Sequence, residues 1–176
     1  MRIETERLLL REFHSDDFTV LHELMSDPTV MEHVEELYDE DDTREFLDEY
    51  CIEEENALAV IDKASGKLIG CIQFPEGDDP EVRQMGWLLD KDFWGRGLAY
   101  EAAAALMSYG FMELKLHRIW AHTMDDIKAV GLMKKLGMTQ EGLLRQHCKS
   151  TDGKKWRDRY YYGILREEYC KHMAEL

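Results

Sequence analysis

Trp94-Gly95-Arg96-Gly97-Leu98-Ala99 stands between a strand-like run, Val82 to Leu89, and a helix-like run, Ala99 to Leu114. Two glycines one residue apart let backbone N–H groups converge, and a helix start adds unpaired donors and the positive end of its dipole. The hexapeptide reads as an anion cradle whose natural guest is a phosphorylated ligand. A turn that merely joins two elements is the plain alternative. The dinucleotide-binding pattern fails here: Tyr100 stands where its third glycine belongs, the loop lies mid-chain, and Lys115 to Arg118, about twenty residues on, are not acidic. The Walker pattern fails as well, because no Gly-Lys-Ser/Thr follows.

The chain around this loop has 176 residues and 44% hydrophobic content, which predicts one domain over 1–176 with a sizeable core. Its longest apolar run, near Ala102 to Met107, is too short to span a bilayer, and Met1-Arg2-Ile3-Glu4 opens no signal-peptide core. A cytoplasmic protein without a membrane partner is expected. Cys51, Cys71, Cys148 and Cys170 are scattered, so they read as reduced thiols. His147-Cys148 and Cys170-x-His172 are fragments that do not close a metal site, and no metal is expected.

Charge is unevenly spread. Residues 1–56 carry 20 acids against 4 bases, and the remainder carries 17 against 18, for a net of −15. Some of the acids are solvated helix faces, Glu53-Glu54-Glu55 among them; the sharper reading is that this end steers a cationic partner. No nucleic-acid partner is expected, because phosphate backbones need a basic footprint.

Periodicity gives alternating elements. Leu8 to Phe13 reads as a strand, then Ser15 caps a helix to about Met25 with Phe18, Leu21, His22 and Met25 on one face. Asp27-Pro28 has the form of a helix cap followed by a first-turn proline. Asp42-Thr43-Arg44-Glu45 resembles a capping box opening a helix with Phe46, Leu47, Tyr50 and Cys51 inward. Ala57 to Ile61 and Leu68 to Phe74 form a hairpin. After the glycine loop and its helix come a strand from His117 to Thr123, a helix from about Asp126 to Leu136 stopped by Gly137, and strands near Met138 to His147 and Trp156 to Ile164.

Several of these stretches together resemble one family. They are Glu4-Thr5-Glu6-Arg7-Leu8-Leu9-Leu10-Arg11, Ser26-Asp27-Pro28, Gly86-Trp87-Leu88-Leu89-Asp90, Phe93 to Ala99 with Glu101-Ala102, His117-Arg118-Ile119, Lys135-Leu136-Gly137-Met138 and Glu141-Gly142-Leu143-Leu144-Arg145. In this order they resemble the GNAT superfamily of acyl-CoA-dependent N-acyltransferases, nearly end to end. With Gly153-Lys154-Lys155-Trp156-Arg157-Asp158, the chain looks like the branch of ribosomal-protein N-terminal and spermidine acetyltransferases.

The resemblance implies an α/β GNAT fold: a mixed, twisted sheet of about six or seven strands with helices on both faces. It implies acetyl-CoA as co-substrate, entering a gap where the strand before the loop splays from the next. Backbone groups of Leu88 and Leu89 would meet the pantetheine, and one of their N–H groups would stabilise the oxyanion. Trp94, Gly95, Arg96, Gly97, Leu98 and Ala99 would hold the diphosphate, with the Trp94 side chain shielding it. Lys135 would reach the distal phosphate, in competition with Lys128 and Lys134. Dimers are common in that branch.

The reaction joins a primary amine to a thioester carbonyl, so an oxyanion forms and a thiolate leaves. An alkylamine with a pKa near 10 is neutral in only about one part in a thousand at pH 7, a cost of roughly 4 kcal/mol, and its proton needs a route. At the positions where relatives place proton-handling groups, this chain has Gln84, Asp126, Ala129 and Met133. His122 is a candidate relay near the end of its strand. Asp126 is a candidate either as a pantetheine hydrogen-bond acceptor beside Ala129 or as a receiver of the amine proton. The expected function is acetyl transfer to a cationic acceptor, such as a polyamine, a protein N-terminus or an aminoglycoside-like molecule. The alternative is an acyl-CoA-binding or regulatory protein that has lost turnover.

Overall fold

The computed structural model describes residues 1–34 and 36–174. Strands β1 (Arg2–Glu4), β2 (Leu8–Arg11), β3 (Ala57–Asp62), β4 (Lys67–Gln73) and β6 (Gly86–Leu89) form an antiparallel sheet in the order β1-β2-β3-β4-β6. A second sheet, ordered β5-β7-β9-β8, contains β5 (Val82–Gln84), β7 (Arg118–Thr123), β8 (Thr139–Lys149) and β9 (Trp156–Leu165). Only its β5–β7 pair is parallel. The expected single sheet of six or seven strands is therefore corrected to two sheets with nine strands among the described residues, while the α/β class holds.

The division falls at Met85. Val82 to Leu89 is one extended run, but its first three residues pair with β7 and its last four with β4. Met85 is 1% exposed, and its N–H donates to the Trp120 carbonyl at 2.8 Å. Beyond that bond β6 and β7 part company.

Helices cover both faces of the five-stranded sheet. In β3, Ala57, Ala59 and Ile61 face α1 (Phe18–Met25) and the helical run Phe46–Glu53, whereas Leu58 and Val60 face the core under α3 (Leu98–Met112) and α4 (Lys128–Lys135). Period-two alternation thus feeds two apolar clusters, which is why the strand is apolar at nearly every position. In α3, Ala102, Ala103, Leu106, Met107, Gly110 and Phe111 are buried, a stripe with helical spacing.

Several local boundaries differ from expectation. The first helical turn starts after His14, not Ser15, with the Asp17 carboxylate accepting from the His14 N–H at 2.9 Å. Asp27 accepts from the Thr29 N–H at 2.8 Å and so caps a turn; no helix follows Pro28. The capping box lies three residues upstream of the expected one: the Asp39 carboxylate accepts from Asp42 N–H, and Asp42 from Asp39 N–H, opening α2 at Glu40–Glu45. Phe46–Glu53 continues it with wider π-type winding, and Leu47 and Cys51 point inward as expected. A final helix, α5 (Arg166–Ala174), was not foreseen; its Tyr169 ring lies 4.9 Å from Phe111.

Candidate active site

The parting of β6 from β7 opens a cleft of about 1120 Å³. Which amides face it follows from alternation. Met85 N–H points to β7 and Asp90 N–H points to β4, where it donates to the Ile69 carbonyl at 2.8 Å. Residues of the same parity share a direction, so Trp87 and Leu89 aim their N–H groups into the cleft and Leu88 aims its own into the β4 ladder. Both Leu88 and Leu89 line the wall.

Leu89 is joined to the glycine loop by a side chain. The Trp94 indole donates to the Leu89 carbonyl at 2.8 Å, which fixes the ring at the cleft mouth. Gly95 and Gly97 have φ of 74° and 76°. A Cβ on Gly95 would meet nothing within 4 Å and one on Gly97 only an Arg7 guanidinium nitrogen at 3.7 Å, so the left-handed backbone, rather than crowding, calls for glycine. Gly97 starts α3 without a side-chain cap. The first amides of α3 therefore lack intrahelical partners, beside Gly95, Gly97, Leu98 and Ala99 on the wall.

Lysines flank this cradle. Lys128 Nζ lies 4.5 Å from the Trp94 ring centroid and Lys135 Nζ 4.2 Å from that of Tyr100, and both residues line the cleft. Lys134 does not line it. The Arg96 side chain also turns away, donating to the Asp92 carbonyl at 2.7 Å and covering Phe93.

His122 and Gln84 line the cleft together, with His122 Nε2 and Gln84 Nε2 3.4 Å apart. Trp120 and Tyr161 rings pack around the imidazole at 5.9 and 5.5 Å. Asp126 is exposed and off the cleft wall. Its neighbour Asp125 is on it, and accepts from the N–H groups of Ile127 and Lys128, both at 2.9 Å. Burial pushes the Asp125 carboxyl upward, but those two amides and nearby His33 outweigh it and hold the carboxyl below its ordinary value. Ala129 lines the cleft, whereas Met133 is fully buried in the core.

The turn after α1 also contributes to the lining. Glu32, His33, Glu36 and Tyr38 face the same space as the lysines. The cleft is thus lined by both basic and acidic side chains. Sequence reasoning missed His33, Asp125 and Arg159 on this wall. An aspartate two or three residues before a helix start was the available signal for Asp125. Among the described residues no cluster of His, Cys, Asp and Glu is arranged to hold a metal, and no helix is long and apolar enough to cross a membrane.

Comparison with known proteins agrees with this geometry. Residues 7–139 match the model of the acetyltransferase (GNAT) domain. The N-acetyltransferase YnaD of Bacillus subtilis is 36% identical over 171 residues, covering 96% of this chain and 99% of that protein. A GNAT-family acetyltransferase structure from Bacillus anthracis has a TM-score of 0.84 at 35% identity, covering 95% of this chain and 99% of its own. The spermidine N-acetyltransferase of Vibrio cholerae, solved with CoA and spermine, has a TM-score of 0.82 at 24% identity, over 94% of this chain and 99% of its own.

Proposed function

The chain belongs to the GNAT acetyltransferase family, and from that premise we propose that it moves acetyl from acetyl-CoA to a cationic primary amine by direct attack in a ternary complex. The observation that carries this reading is one cleft lined by an amide-rich loop with two lysines beside it and by acidic side chains, along an unpaired strand edge. A dianionic diphosphate suits the first, and a polyamine or basic N-terminus suits the second. That the Vibrio cholerae enzyme was solved with CoA and spermine supports the pairing.

In this reading the amides of Gly95 to Ala99 hold the diphosphate, Lys135 and Lys128 the distal phosphate, and the free edge of β6 the pantetheine. The Leu89 N–H donates to the oxyanion, with Trp87 N–H beside it. His122, steadied by Gln84, relays the proton lost by the amine to solvent. Asp126 takes no part in this scheme, because it lies off the wall, where Asp125 stands with its Oδ1 accepting from the Ile127 and Lys128 amides. The departing thiolate takes up its proton from solvent, because Met133, at a position where relatives place a proton-handling group, is buried in the core and has no proton to give. We extend the domain over the whole chain, since the Tyr169–Phe111 contact ties α5 into the core formed within 7–139.

The test is release of free thiol from acetyl-CoA in the presence of spermidine, spermine, a basic peptide and an aminoglycoside. Amine-dependent release, strongest with the multiply charged acceptors, is expected. Binding of CoA by calorimetry with no thiol released for any amine would instead establish a carrier or regulatory protein, the outcome that the aliphatic Ala129 and Met133 favour.

A further inference from the structure

The Glu101 carboxylate sits in the first turn of α3, four residues after Gly97, where a negative charge opposes an anionic ligand at the same helix end. It is enclosed by donors from the link between β1 and β2. Thr5 Oγ1 donates to it at 2.6 Å, Arg7 N–H at 2.8 Å and Arg7 Nε at 2.7 Å, with Arg7 Nη2 2.6 Å from Oε2. Burial pushes the Glu101 carboxyl upward, and these donors outweigh it and hold it ionised below its ordinary value. The guanidinium still has one arm free of the carboxylate, and Nη1 donates to the Arg96 carbonyl at 2.8 Å.

That last bond decides the direction of an amide. Across a planar trans peptide the carbonyl of one residue and the N–H of the next point opposite ways. Pinning the Arg96 oxygen on Arg7 therefore turns the Gly97 N–H away from Arg7. A flip of this peptide rotates ψ of Arg96 and φ of Gly97, and with glycine in left-handed backbone at the second position the rotation meets little steric cost, so the orientation needs an external hold.

We propose that Arg7 is a positioning residue for the cofactor cradle: it neutralises Glu101 and locks the Arg96–Gly97 peptide with its N–H presented to the diphosphate. This rests on the diphosphate reading above. Arg7 does not line the cleft and acts through the peptide. Lysine cannot replace it, because a single ammonium does not span the carboxylate and the carbonyl with a fixed fork.

Calorimetry with coenzyme A and with pantetheine, which lacks the diphosphate, tests the proposal on wild type, Arg7→Met, Arg7→Lys and Arg7→Met/Glu101→Gln. Arg7→Met is expected to raise the Kd for coenzyme A about tenfold, or ~1.4 kcal/mol, with no comparable change for pantetheine. Adding Glu101→Gln removes the uncompensated charge and restores part of the loss. Arg7→Lys falls between, and serves as the measured variant if Arg7→Met does not fold by circular dichroism. Equal coenzyme A affinity in wild type and folded Arg7 variants, or equal losses for both ligands, overturns the proposal. Failure of the wild type to bind coenzyme A overturns the functional reading instead.

Discussion

Asp125 illustrates how a single residue divides structure from chemistry at the cleft. It is 9% exposed, and its carboxylate accepts from the first amides of α4. Asp125→Ala should cost about 1 kcal/mol, as loss of such caps does, measured by urea unfolding at neutral pH. Its folded pKa lies below the ordinary 3.8, so the carboxylate's contribution is present above 3.8 and is lost as pH falls through the lowered value. The gap between wild type and Asp125→Ala should therefore narrow in strong acid. A constant gap would mean that the ionised form adds nothing. The same residue marks a limit of sequence reading: Asp125 and Asp126 are adjacent carboxylates, and only the turn geometry after β7 shows that the first faces the cleft. Gly95 and Gly97 were legible because their φ values suit almost no other residue.

At the scale of elements, the hairpin of β8 and β9 reaches across to the acidic wall. The Thr151 hydroxyl at its turn lies 2.8 Å from the Met31 carbonyl, 3.0 Å from that of Glu32 and 2.8 Å from that of Val34. One hydroxyl proton serves three acceptors in turn, so the segment is gripped without being fixed on one bond. Thr151→Val removes this grip and should cost about 1 kcal/mol, with KM for the amine rising and KM for acetyl-CoA unchanged. Parallel rises in both constants would show that the turn is not a support for the acceptor side. None of this was legible in the chain, because the contact joins residues more than a hundred positions apart. Helices and strands with strong periodicity were legible. The splay of the strand before the loop was expected from the family resemblance, but its place at Met85 was not legible, since Met85 looks in sequence like any other apolar strand residue.

Over the whole molecule the acidic excess of residues 1–56 becomes a location. Glu32 and Glu36 line the cleft together with Lys128 and Lys135. Neutralising the pair as Glu32→Gln/Glu36→Gln should raise KM for spermine several-fold and for a monoamine much less. The difference should shrink as salt screens the field, over a length of about 8 Å at physiological ionic strength. Equal effects on both amines would assign the acids to solubility alone. Composition pointed to a cationic partner as an expectation; that some of these acids line the cleft required the fold.

Met85 links a strand of one sheet to a strand of the other, so the two blades of the protein share a pivot at the root of the opening. Its width then depends on how far the blades are twisted apart, and a bulkier side chain at that pivot, itself part of the lining, would alter the aperture while leaving the glycine loop and the lysines in place.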